Sequence, residues 1–181
     1  MNDFVSFTIF AEQEIPLPIA SFLPKRREDV HNYALRHVIH AARALGHRVE
    51  IAAVKETWQG GSVIRELLIV NGHPCTFQCS SNRFTNRRAK RSYTKTMVSY
   101  STLRLGSAAI ICTLVSDTLP HVFVIPSSVL LATYFAVPKR TAMLWLPVER
   151  LPPYKNMHPK IDYWQYENAW PIYPASENIT S

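Results

Sequence analysis

Seven cations, Arg83, Arg87, Arg88, Lys90, Arg91, Lys95 and Arg104, lie in a stretch from Leu67 to Ser116 that holds no Asp or Glu. They equal the whole formal excess of the 181-residue chain, +7, so the charge is a patch and not an average. A charge run is usually a solvated face. This one lacks compensating acids, and Asn82, Thr85, Asn86, Ser92, Tyr93 and Thr94 are interleaved with it. Guanidinium groups give a phosphate two parallel hydrogen bonds, while amides and hydroxyls can bond phosphate or base edges. The chemistry available is the gripping of a polyanion, and the expected partner is nucleic acid. Just upstream, "HPCTFQCSS" delivers Gln78, Ser80 and Ser81 at the end of an apolar alternation.

Other chemistries find less support in the residue types. Three cysteines with no CxxC pair suit reduced, buried thiols. His73, Cys75, Cys79 and Cys112 lack the knuckle spacing of a zinc site. A Cys or Ser nucleophile would need a His at a recognisable spacing, and none is evident. No run approaches the roughly 20 apolar residues of a membrane helix, and Asp3, Glu12 and Glu14 break any signal-like N-terminal pattern. The Asn178-Ile179-Thr180 sequon has no secretory context. The expectation is a cytoplasmic protein with no membrane partner. At 47% hydrophobic, the chain can build one domain with a substantial core.

The elements that must position these residues follow from periodicity. "FVSFTIF" reads as a strand that stops near Phe10, ahead of Pro16, Pro18 and Pro24. Val30, Ala34, Val38, Ala41 and Leu45 recur at helical spacing. Glu28 and Asp29 suit that helix's N-terminal end, and Gly46 the residue past its C-terminus. "HRVEIAAV", "SVIRELLIV" and "PCTFQCS" read as strands, with a turn at 59–61 and a hairpin turn at Asn71-Gly72. On the last strand, Cys75, Phe77 and Cys79 share one face, and Thr76, Gln78 and Ser80 the other. The basic segment comes next as a connection. "AAIICTLV" and "HVFVIP" are two more strands, and "SSVLLATYF" a helix capped by Ser127 or Ser128. From Pro138, seven of the thirteen prolines are interspersed with Trp and Tyr. Residues 138–181 therefore read as an irregular extension packed on the 1–137 α/β core.

This order of helix, strand, hairpin, basic segment, strand, strand and helix resembles the restriction-endonuclease-like core, the PD-(D/E)xK superfamily. The resemblance covers roughly residues 25 to 135, rests on element order, and extends to "HVFVIPSSVL". It implies an α/β fold in which a central mixed sheet is flanked by helices. It also implies an Mg²⁺ site, in which carboxylates on the second and third strands hold the ion and a Lys supports the nucleophile. Carried onto this chain, Glu66 takes the place of the family's Asp, and Gln78-Cys79-Ser80 takes the triplet. Gln can offer a carbonyl oxygen to a metal, but Ser80 brings no positive charge where the family has Lys. Lys55 and Lys90 are candidates for a relocated Lys. The reading that follows is a DNA-binding protein on a nuclease-like fold whose metal site has degenerated, a pseudoenzyme without a cofactor. Two alternatives stay open: an active Mg²⁺-dependent endonuclease using a relocated Lys, and a basic module that docks a protein partner or a second copy of the chain.

Overall fold

The computed structural model describes the backbone of residues 4–6, 27–58, 61–81, 83–86, 91–115, 119–148 and 161–170. Arg87, Arg88 and Lys90, residues 7–10 of the expected first strand and most of the Pro-rich stretches lie outside these residues.

Strand β1 (Phe4–Ser6) pairs antiparallel with β2 (Val49–Trp58), which forms a long hairpin with β3 (Gly61–Val70). Asn71 and Gly72, both at positive φ, turn β3 into β4 (His73–Ser80). A left-handed pair at these positions matches the right-handed twist of the flanking strands. Strand β4 runs parallel to β7 (Ala108–Thr113), and β8 (His121–Pro126) closes the sheet. The result is a six-stranded mixed sheet in the order β1-β2-β3-β4-β7-β8. All six residues of β7 are buried. A strand covered on both faces loses the alternation of a half-exposed one, so "AAIICT" is continuously apolar or small.

Helix α1 (Arg27–Ala44) covers one face. Its Ala34, Val38 and Ala42 pack against Leu68, Val70, Cys75, Ile110, Cys112, Val122 and Val124. The buried stripe differs from the expected one at its end. Ala42 replaces Ala41 as the fully buried residue, and Leu45 falls beyond the last turn, 59% exposed. A strict four-residue step lands on 34, 38 and 42, and the chain leaves the helix before the next step. Gly46, at φ +83°, provides the expected exit.

The opposite face corrects three expectations. The basic segment is not a connection: it forms β5 (Arg83–Asn86), β6 (Arg91–Ser99) and the short helix α2 (Tyr100–Leu103). The region after Pro138 is not irregular throughout, because β9 (Thr141–Pro147) joins β6 to complete a second sheet, β5-β6-β9. That sheet, together with α2 and α3 (Ser127–Tyr134), covers the face where a flanking helix was expected. Val98, Leu103, Leu130, Ala142, Leu144 and Leu146 close on Ala109, Ile111, Phe123 and Ile125 of the large sheet. On β6 the buried positions include Ser92, Thr94 and Thr96, which hides the period-two pattern from any reading by hydropathy. Helix α3 starts without a serine cap: Pro126 is its N-cap residue, and the Ser127 amide donates to Ser107 O at 2.9 Å. The loop before β7 thus satisfies one of the amides that a helix start leaves without an intrahelical partner. A final 3₁₀ turn (Tyr163–Tyr166) packs its Tyr163 into the same core, with the Tyr163 and Tyr134 hydroxyls 2.7 Å apart. No helix among the described residues is long and apolar enough to cross a membrane.

Candidate functional site

A fork in the large sheet makes the cleft. Strands β3 and β4 pair only from Leu67↔Thr76 to Val70↔His73. Past that point β3 stays on β2, out to the Trp58↔Gly61 pair, while β4 follows β7 from Cys75↔Ala108 to Ser80↔Thr113. Their parting opens a cleft of about 720 Å³ lined by His31, Arg65, Glu66 and Gln78, with the hydroxyls of Thr76, Ser99, Thr102 and Thr141.

The two residues expected to share a metal reach this cleft from opposite faces of the sheet. Continuing the β3–β4 register sets Glu66 opposite Phe77, one residue short of Gln78. Glu66 therefore lies on the α1 side: its Oε2 is 3.7 Å from His31 Nε2, and the His31 ring stands edge-on to Phe77 with centroids 5.1 Å apart. Gln78 lies on the side of the second sheet, where its Oε1 accepts a hydrogen bond from Thr96 Oγ1 at 2.7 Å. Ser80 is buried and donates to Lys95 O at 2.8 Å. Lys55, exposed on β2 opposite Ile64, does not line the cleft. Lys90 lies outside the described residues.

These donors do not fit Mg²⁺. The ion prefers an octahedron of hard oxygens. The cleft offers one carboxylate, 62% exposed and beside an imidazole, and an amide oxygen already bonded to Thr96. Among the described residues no three His, Cys, Asp or Glu side chains come together. Two of the three thiols offer no nucleophile in its place. Cys75 and Cys112 are buried, and burial pushes Cys75 up to about 11 and raises Cys112 as well. Burial, with His40 nearby, lowers the pKa of His37 on α1, holding that ring toward its neutral form.

The cations of the basic segment are placed by the second sheet. Arg83 is exposed on β5, with its Nε donating to Ser92 Oγ at 2.8 Å. Lys95 is exposed on β6, its Nζ 4.2 Å from the centroid of the Phe84 ring. Arg104 follows α2, its guanidinium 5.8 Å from the Tyr100 ring centroid. Arg91 contributes backbone to β6, paired with Asn86, whereas Arg87 and Arg88 lie outside the described residues.

Sequence reading did not single out two cations, and it placed Trp145 in an irregular extension. Lys139 and Arg140 are exposed just before β9. Lys139 Nζ is 5.6 Å from the Phe135 ring centroid, and Arg140 O accepts from the Tyr100 amide at 3.0 Å. Trp145 sits on β9, 45% exposed and 5.9 Å from Phe84 between ring centroids. The alternation in "TAMLWLP" was the available signal, obscured by the prolines around it. No family model, curated protein or solved structure matches this chain.

Proposed function

We propose that this protein binds DNA, gripping the phosphate backbone through the 83–104 segment; Glu66 and Gln78, on opposite faces of the sheet, do not form the shared metal site of a nuclease. The observation that carries this reading is electrostatic. From Leu67 to Val148 the only acid is Asp117, while Arg83, Lys95, Arg104, Lys139 and Arg140 are all exposed. The stretch itself brings almost no carboxylate to neutralise these cations, a balance that favours a polyanion. The donor set of the cleft argues against a working Mg²⁺ site.

The test is binding of labelled DNA without divalent metal, followed by addition of Mg²⁺. Binding that weakens at least tenfold when Arg83, Lys95 and Arg104 are replaced by Ala, with no cleavage once Mg²⁺ is added, is the expected result. Mg²⁺-dependent cleavage lost in Glu66→Ala would replace this reading with an active nuclease. Absence of binding at moderate salt would leave a protein-docking face.

A further inference from the structure

The solvent face of the second sheet is apolar at its centre and cationic at its edges. Lys95 pairs with Trp145 across β6 and β9, and Met97 with Met143. These four side chains alternate with buried Thr94, Thr96, Ala142 and Leu144, so all four point to solvent. Met97 is 58% and Met143 43% exposed. Phe84 meets Trp145 edge to face, interplanar angle 74°. Past the end of β6, on α2, Tyr100 is 42% exposed and stands beside Phe135 and Arg104. A flat face bearing Trp, Phe and Met is not needed to cover this core, because the core lies beneath the other face of the sheet.

Base pairs in a duplex hide their ring faces from such a surface. An unpaired strand exposes them, and a base lying on an aromatic ring is held whatever its sequence. Met packs adaptably against flat rings. Charge selects a polyanion over an apolar protein face: no residue of β5, β6, α2, α3 or β9 is Asp or Glu, Lys95 lies over the Phe84 ring, and Arg104 and Lys139 stand beside Tyr100 and Phe135. Met97 and Met143 flanking Trp145 would set apolar groups, not hydrogen-bonding partners, against a ribose 2′-hydroxyl. We infer that this face binds single-stranded DNA, with bases stacked on Trp145 and its neighbours and phosphates held by Lys95 beside them. The inference rests on the proposed DNA binding and names the form of DNA.

Fluorescence anisotropy at one salt concentration tests it with four labelled probes of equal length: single-stranded DNA, the same strand made abasic, the duplex, and single-stranded RNA. The wild type should bind single-stranded DNA tightest. Trp145→Ala should weaken that binding about 5- to 150-fold, leave duplex binding within about twofold, and keep the wild-type circular dichroism spectrum at the assay temperature. Trp145→Phe should recover most of the affinity. Equal binding of abasic and intact strands, a preference for duplex or RNA, or indifference to Trp145→Ala would overturn the inference while leaving DNA binding intact. Failure of all four probes to bind would overturn both.

Discussion

The hydrogen bond from Thr96 Oγ1 to Gln78 Oε1, at 2.7 Å, ties the two sheets together and makes Gln78 a strut instead of a metal ligand. Thr96→Val removes the donor with little change of shape. Thr96 is buried, so the Gln78 oxygen loses a partner that water does not readily replace. A neutral hydrogen bond contributes about 0.5–1.5 kcal/mol net, and a polar atom left unsatisfied costs about 1–3 kcal/mol. Thr96→Val should therefore destabilise by about 1–2 kcal/mol, which for a chain of this size lowers Tm by roughly 2–8 °C. Gln78→Met removes the acceptor and strands the Thr96 hydroxyl, at a similar cost. Replacing both partners leaves an apolar pair and should cost less than the two single changes together, by about 1 kcal/mol. Urea titrations of the four proteins, followed by tryptophan fluorescence, give the coupling directly. Single effects that add within about 0.3 kcal/mol would refute the strut.

Two further outcomes follow from burial. The Thr94 hydroxyl is buried without a hydrogen-bond partner among the described residues. Thr94→Val should therefore raise stability by about 1 kcal/mol, and a denaturant midpoint shifted downward would contradict that. Cys75 and Cys112 should resist a thiol reagent at pH 8 in the folded protein, since a thiol pushed up to about 11 is only about one part in a thousand thiolate there. Mass spectrometry should find label at Cys79 alone. Because burial raises these two thiols, the stability linked to them is whole below the ordinary value of 9.0 and falls as pH rises toward 11. Alkaline melts that do not fall across that window would contradict the burial argument.

What could be read in advance follows the physics of each element. Helix α1 and strands β2, β3, β4, β7 and β8 were legible because apolar residues mark their buried positions, and Asn71-Gly72 because only permissive residues accept that turn. The second sheet was not. Its buried face on β6 is built from Ser92, Thr94 and Thr96, and its third strand arrives from beyond Pro138, more than forty residues later in the chain. The candidate site was half legible. The positions of Glu66 and Gln78 near one cleft followed from the hairpin, but their faces depend on register. A one-residue offset across the turn reverses the side on which a residue lies. The exposed cations were readable as charge. The placement of Lys95 beside Phe84 and Trp145 needed the pairing of β6 with β5 and β9.

The central claim, a phosphate grip built from the basic segment, is tested most directly by the salt dependence of DNA binding without divalent metal. Each phosphate contact adds about 0.7 to the slope of log affinity against log salt for a single strand, and about 0.9 for a duplex. With single-stranded DNA the account predicts a wild-type slope near −3 or steeper. Replacing Arg83, Lys95 and Arg104 together by Ala should make it shallower by about 2, three contacts at the single-strand value. A slope near zero, or one unchanged by the triple replacement, would contradict the account and leave these cations as a solvated face.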